Sequence, residues 1–366
     1  MYRHYLKSIP NIGDASIHKL LDIFGTAENV YRAVKDNDSR LEAIIKNKIT
    51  QVIEYTKAYD LRKEYETMLS KGINLVTVDD EAYPMRLRSI NPIPYGIYYK
   101  GSLPENDVPS VAIIGARDCS EYGIYVADSF GRALGRSGIN VISGMARGID
   151  GISQRGALKE GGSSYGILGN GVDICYPSGN MKLYNELMIR GGIISAFPPG
   201  TKPEKRNFPQ RNKIVAALAD IVLVIEARLK SGTSITVDMA VGMNKDVFVV
   251  PGRVTDRLSD GCNLLIKEGA GVALSPEDIL KELAVQRGYE SPNDIFAYDR
   301  PKEDEMMVGL LKYMDINPIP AEKIHEARLL DEPDIPFEQT LSELVVLCVE
   351  EKAYEIGTGF FAKKMR

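Results

Sequence analysis

The chain has 366 residues, a formal net charge of −5, 44% hydrophobic and 26% charged residues. That is the make-up of an ordinary globular protein, long enough for more than one core. It excludes a membrane-spanning helix, because no apolar run approaches about 18 residues, and the start Met1-Tyr2-Arg3-His4-Tyr5 lacks the apolar stretch of a signal peptide. Cys119, Cys175, Cys262 and Cys348 show no C-x-x-C spacing, so reduced thiols and a cytoplasmic location are expected. The acidity is unevenly placed. Residues 1–109 carry 15 basic and 15 acidic groups, residues 110–282 carry 20 and 18, and residues 283–366 carry 10 and 17. A basic patch in the middle is therefore compatible with an acidic whole.

Taken in chain order, residues 1–70 show helical periodicity. Ile17, Leu20, Leu21 and Phe24 form one apolar face that stops at Gly25, and a longer helical stretch is expected from about Arg40 to Ser70 before Gly72. Residues 71–109, rich in Pro and Tyr, read as an extended connector packed on the main domain. From 110 to 284, buried-strand runs alternate with helical patterns in the manner of an α/β, doubly wound, mostly parallel sheet. The expected strands are Val111–Ile114, Val141–Ile142, Gly166–Leu168, Ile221–Ile225 and Val247–Val250. Helices are expected at Tyr122–Arg136, Ile149–Lys159, Lys182–Arg190, Arg211–Ala219 and Thr233–Met243. Residues 285–304 read as a linker. The final 305–366 unit, with helical pieces at Met306–Met314, Ala321–Ala327 and Gln339–Glu351 and two short strands around Gly357-Thr358-Gly359, has the order of a winged helix.

Each expected strand stops at a turn rich in Gly, Ser or Arg, and parallel α/β sheets bind ligands outside the carboxyl ends of their strands. Glycine lets backbone N–H groups approach an anion and arginine adds charge. A dinucleotide is not expected, since Gly115-Ala116-Arg117-Asp118-Cys119-Ser120 lacks G-x-G-x-x-G, and Lys230-Ser231 lacks the glycines of a phosphate-binding loop for ATP. The three histidines, His4, His18 and His325, all lie outside the α/β segment, which therefore has no imidazole for acid–base or metal work. Asp150, Asp173, Glu226, Asp238 and Asp260 remain as candidate carboxylates, each of which is more simply read as a helix cap or a clamp on an arginine.

The strongest local signal is Thr201–Lys213, with five positive groups and one negative. Phe208 lies among the cations Lys202, Lys205, Arg206, Arg211 and Lys213, as expected where bases stack while phosphates are held. With Arg117, the Ser143–Gly148 turn and Lys230-Ser231-Gly232-Thr233 it points to a polyanion groove without a cofactor.

These residues resemble the DNA-processing protein A (DprA/Smf) family. The match is carried by Ser143-Gly144-Met145-Ala146-Arg147-Gly148-Ile149-Asp150, by Gly169-Asn170-Gly171-Val172-Asp173 with Tyr176-Pro177, and by Phe208-Pro209-Gln210-Arg211-Asn212-Lys213. Ser231–Thr236 and Val250-Pro251-Gly252 with Gly261–Ile266 extend it, so that it covers about Tyr83 to Gly271. The resemblance implies an extended Rossmann-like domain that binds single-stranded DNA, forms a homodimer, protects incoming DNA and helps load the recombinase RecA in natural transformation, with no enzymatic activity. It also implies that Arg117 and Lys213 grip phosphates, helped by Gly115, Arg147, Gly148, Asn212 and the turn amides of Ser143, Gly144, Gly169 and Gly171. The N-terminal segment resembles a SAM or helix-hairpin-helix unit, although Asn11 replaces its first hairpin glycine. The C-terminal unit resembles a winged helix too acidic to hold a duplex, and reads as a protein-contact module. A rival reading is a hydrolase of the nucleotide phosphoribohydrolase type, with Glu226 ahead of Ser231-Gly232-Thr233, but the P-G-G-x-G-T-x-x-E pattern of that class is missing. A purely structural adaptor would bind no DNA.

Overall fold

The computed structural model describes residues 1–292, 295–296, 309–350 and 352–364. Two compact units are present, the larger built from residues 1–119 and 126–296, the smaller chiefly from the C-terminal residues. Half of the expected 285–304 linker, namely residues 293–294 and 297–304, and residues 306–308 of the expected Met306–Met314 helix, lie outside the described residues.

The larger unit is organised by a nine-stranded sheet. In chain order its strands are β1 Asn74–Thr77, β2 Gly96–Gly101, β3 Ser110–Gly115, β4 Asn140–Ser143, β5 Ser164–Ile167, β6 Gly191–Ser195, β7 Ile221–Ile225, β8 Asp246–Val249 and β9 Gly271–Val272. Their spatial order is β1-β2-β6-β5-β4-β3-β7-β8-β9. From β6 through β9 all pairings are parallel, while β2 runs antiparallel to both β1 and β6. The fold class is thus α/β with a mostly parallel sheet. β7 is buried along its whole length and β3 along all but its last residue, as their unbroken Val/Ile/Leu runs require, each such side chain contributing about 1.5–3 kcal/mol. Strand order reverses between β3 and β7, which makes their carboxyl ends the switch-point crevice of the sheet.

Six helices precede the sheet: α1 Tyr2–Ser8, α2 Asp14–Phe24, α3 Ala27–Lys35, α4 Arg40–Ile45, α5 Ile49–Ala58 and α6 Leu61–Ser70. The expected single stretch from Arg40 to Ser70 is broken twice. Lys46 takes a φ of 46°, and Tyr59 is extended before Asp60, whose carboxylate accepts the N–H groups of Arg62 and Lys63 at 3.1 and 3.0 Å. These helices share a core of Tyr5, Leu6, Ile17, Leu20, Leu41 and Val52. They dock on the sheet edge through buried polar contacts: His4 Nδ1 and the Tyr98 hydroxyl share a 2.9 Å hydrogen bond, and Asp14 accepts the Tyr95 N–H at 3.0 Å. Residues 71–109 are therefore more than a connector, because β1 and β2 extend the sheet. β6 escaped the sequence pattern because Gly191 and Gly192 open it. A Cβ there would meet the carbonyl oxygens of Ser164 and Ser102 at 1.9 and 2.1 Å, so close backbone approach overrides strand propensity.

The covering helices are α7 Glu121–Arg136, α8 Ile149–Lys159, α9 Met181–Ile189, α10 Asn207–Leu218, α11 Gly232–Gly242, α12 Asp260–Lys267 and α13 Pro276–Gln286. α10 begins four residues earlier than the sequence pattern places it, so Phe208 and Pro209 belong to a helical first turn and only residues 201–206 are loop.

In the smaller unit a 3₁₀ turn at Gly309–Tyr313 is followed by β10 Ile319–Pro320, α14 Ala321–Arg328, α15 Phe337–Val349, β11 Ala353–Glu355 and β12 Phe360–Lys363. The strands form a sheet in the order β10-β12-β11, the element order of a winged helix. Leu310, Leu311, Ile324, Leu344 and Phe361 fill its core.

Candidate nucleic-acid interface

A cleft of about 660 Å³, within the usual range of ligand sites, opens at the switch-point crevice. Its wall takes Gly115 from the end of β3 and Arg117 from the turn after it, Gly144 from the turn after β4 and Asp150 from the first turn of α8, and Lys205, Phe208, Arg211 and Asn212 from the approach and first turns of α10. Arg228 after β7, and Ser231, Gly232 and Thr233 at the start of α11, close the other side. β3 and β7 meet tightly here: a Cβ on Gly115 would lie 1.8 Å from the Ile225 carbonyl oxygen. The turn after β4 needs Gly148 for its φ of +78° and because any Cβ would strike the Ala116 carbonyl oxygen at 2.3 Å.

The floor is polar and sealed. Arg211 is 5% exposed and Asp150 is 8% exposed. One Arg211 Nη donates to the carbonyl oxygens of Gly144 and Ile167, the latter at 2.6 Å, and so ties the ends of β4 and β5 to α10. Asp150 accepts the Gly144 N–H at 3.1 Å. Burial pushes the Asp150 carboxyl up from its ordinary range, with the Arg211 charge and the Gly144 N–H acting against it. Burial likewise lowers the Arg211 guanidinium, with Asp150 opposing, and an arginine so placed stays charged.

The rim is exposed and cationic. The Arg117 guanidinium stands 5.9 Å from the Phe208 ring centre and that of Arg211 5.8 Å, while Tyr176 lies 5.9 Å from the same ring at a 36° tilt. Phe208 and Tyr176 therefore offer an aromatic platform beside cations. Two helix N-termini add partial positive charge, since neither α10 nor α11 has an acidic residue in its first turn. The wall's cations are Arg117, Lys205, Arg211 and Arg228, and its carboxylates are Asp118 and Asp150. Asp118 already pairs with Arg147 at 2.5 Å.

The expected site residues thus divide. Gly115, Arg117, Gly144, Lys205, Phe208, Arg211, Asn212, Ser231, Gly232 and Thr233 come together around the cleft. Arg147, Gly148, Lys202, Arg206, Lys213 and Lys230 lie outside its wall, Arg206 beside Glu204 at 2.7 Å. Several of the expected turn residues are engaged within the fold. Ser143 is buried within β4 with its hydroxyl on the Ile113 carbonyl, the Gly144 N–H is spent on Asp150, and the Gly171 N–H donates to Thr201 at 2.9 Å. Gly169 is buried and instead gives the Phe208 ring room, since a Cβ would lie 3.1 Å from it. Arg228 and Tyr176 were missed as site residues, although both sit inside turns that the sequence marks.

A mostly parallel α/β sheet with a cationic, aromatic-lined cleft at its switch point defines a protein of Rossmann-like architecture. The comparisons make the assignment specific. Residues 74–284 match the family model of DNA recombination-mediator protein A. The DNA processing protein DprA of Streptococcus pneumoniae is 37% identical over 222 residues, 61% of this chain and 77% of that protein. Protein Smf of Synechocystis sp. is 30% identical over 351 residues, covering 94% and 86%. The X-ray structure of DprA from Streptococcus pneumoniae superposes with a TM-score of 0.63 at 31% identity, over 77% of this chain and 97% of that one. DNA processing protein A from Helicobacter pylori, solved for its single-stranded DNA binding mode, gives 0.54 at 29% identity, over 60% and 99%. The chain belongs to the DNA recombination-mediator protein A family.

Proposed function

We propose that this chain binds single-stranded DNA at the β3/β7 cleft and acts as a recombination mediator, helping RecA onto the strand it protects. The observation that carries the reading is the split between a sealed floor and an exposed rim, where Arg117, Lys205 and Arg228 stand beside Phe208 and Tyr176. Cations hold phosphates and aromatic faces hold bases of any sequence, which is the chemistry of single-strand binding. The Helicobacter pylori relative, a single-stranded DNA binder, supports the same polyanion. Lys213 and Lys202, on α10 and its approach, are assigned to phosphates beyond the cleft.

Several finer features belong to the same proposal. The protein works in the cytoplasm, and among the described residues no helix is long and apolar enough to cross a membrane. It acts as a homodimer through the Rossmann-like domain. The two-residue edge strand β9 supports this, because Leu264, Val272 and Leu274 are exposed around it, Leu274 by 77%. It binds without catalysis, since Asp150 is committed to the floor beneath Arg211 and Glu226 is only 3% exposed.

Fluorescence anisotropy with single-stranded and duplex oligonucleotides tests the reading. Tight single-strand binding lost in Arg117→Ala is expected, and equal binding by parent and variant would move the site elsewhere. Release of free base from nucleoside monophosphates would instead favour the hydrolase reading. Light scattering of Leu274→Arg, expected to be monomeric, checks the dimer.

A further inference from the structure

Asp173, in the turn after β5, is a carboxylate that forms no part of the cleft wall. Its side chain is only 13% exposed, and both oxygens are engaged. Oδ1 accepts the Gly200 N–H at 2.8 Å, and Oδ2 accepts the ammonium of Lys71, just past α6, at 3.1 Å. The Lys71 side chain is 49% exposed, so that pair contributes little. The bond to Gly200 matters more, because it holds a segment poor in donors. Pro198, Pro199 and Pro203 have no N–H, and Gly200 takes a φ of +79° between them.

The same turn clamps this segment from a second side. The Gly171 N–H donates to the Thr201 carbonyl at 2.9 Å, and the Ile174 N–H closes the turn on the Gly171 carbonyl at 3.0 Å. A Cβ on Gly171 would lie 2.7 Å from the Asp173 Oδ1 and 2.8 Å from the Gly200 nitrogen, so the bond between them forms only over a glycine. From Thr201 the chain runs through the 201–206 loop to Phe208 in the first turn of α10. The turn also meets the aromatic platform directly. Gly169 backs the Phe208 ring, and Tyr176, three residues past Asp173, lies 5.9 Å from it. One stretch of chain thus carries one ring, backs the other and holds the loop that delivers it.

We propose that Asp173 is a positioning residue for the single-strand site: by holding Gly200 it fixes the approach to α10, and with it the placing of Phe208 beside Tyr176 on which a base stacks. This rests on the single-strand reading above. Asp173 itself touches no phosphate. The role shows in the sign of its effect. An acidic group on the strand-end edge of the sheet repels a polyanion, so by charge alone its removal tightens binding. Loss of the anchor loosens binding instead.

The test is Asp173→Ala in the full chain, titrated well below its melting temperature with an oligothymidylate of about ten nucleotides, within the usual range of single-strand site sizes, carrying a central 2-aminopurine. Affinity falls by about fivefold or more, the lower bound for one stacked base. Quenching of the 2-aminopurine in the saturated complex falls with it, while the slope of log K against log salt is unchanged, because no phosphate contact is lost. Asp173→Asn, which keeps an oxygen for the Gly200 N–H, restores affinity and quenching. Gly171→Ala, whose Cβ parts the same bond, reproduces the loss and replaces Asp173→Ala if that variant does not fold. Unchanged or tighter binding by Asp173→Ala overturns the proposal, as does weaker binding with full quenching, or an Asn variant as weak as the Ala one. If the parent does not bind the oligonucleotide, the single-strand reading itself fails; if Arg117→Ala weakens binding and Asp173→Ala does not, only the Asp173 assignment fails.

Discussion

Arg211 and Arg117 both stand over the Phe208 ring, at 5.8 and 5.9 Å, yet one is sealed in the floor and the other stands free at the rim. Arg211 holds two strand-end carbonyls and balances buried Asp150, so its charge is consumed by the fold. Among the described residues Arg117 makes no comparable commitment, and its exposed charge faces solvent. The same side chain thus serves architecture when it is dry and recognition when it is wet. The contrast orders the expected effects.

Removing the floor cation has the largest. Arg211→Ala leaves two buried carbonyls unsatisfied and Asp150 without its countercharge, and lowers unfolding free energy by about 3–5 kcal/mol; chemical denaturation of parent and variant checks it. A second buried polar group behaves alike. Burial lowers the His4 imidazole to about 4 from its ordinary 6.5. Because the folded state resists the proton, the stability due to His4 is fully present above pH 6.5 and is lost as pH falls towards 4, amounting to about 3 kcal/mol. Thermal midpoints measured across that window should fall, and His4→Asn should flatten the profile.

Next comes Gly144→Ala, whose Cβ would lie 2.2 Å from the Arg211 guanidinium. Displacing that group costs about 1–3 kcal/mol, seen as a lower denaturation midpoint with the rim chemistry intact. The smallest stability effect belongs to the rim. Arg117→Ala should change unfolding free energy by no more than about 0.5 kcal/mol, while losing single-strand affinity by about tenfold or more, as for a charge-assisted contact of about 1.5–3 kcal/mol. A variant that unfolded instead would erase the distinction between floor and rim.

Much of this was legible in the sequence, for identifiable reasons. β3 and β7 announce themselves as unbroken buried runs, and the glycine-rich turns at their ends mark the crevice. β6 was not legible, because the glycines that let it fit between Ser164 and Ser102 also remove its strand signal. The motif Phe208–Lys213 was legible as a site, but the separate roles of Arg211 and Lys213 were not. Ile214 to Leu218 are all buried, so α10 has no polar face from which the orientation of its first turns could be read. Arg228 was passed over for the same kind of reason, since only the packing of α11 decides which cation of the 228–230 turn faces the cleft. In the smaller unit, α15 carries no Lys or Arg and exposes Val345, Val346 and Val349.

The most direct measurement is a salt titration of single-strand affinity for the parent and for Arg117→Ala. With three or four phosphates neutralised, log K should fall with log salt at a slope of about −2 to −3, and Arg117→Ala should make it shallower by about 0.7 at an unchanged melting temperature. An affinity independent of salt, or a variant that binds as the parent does, would contradict the cleft as the site of DNA binding.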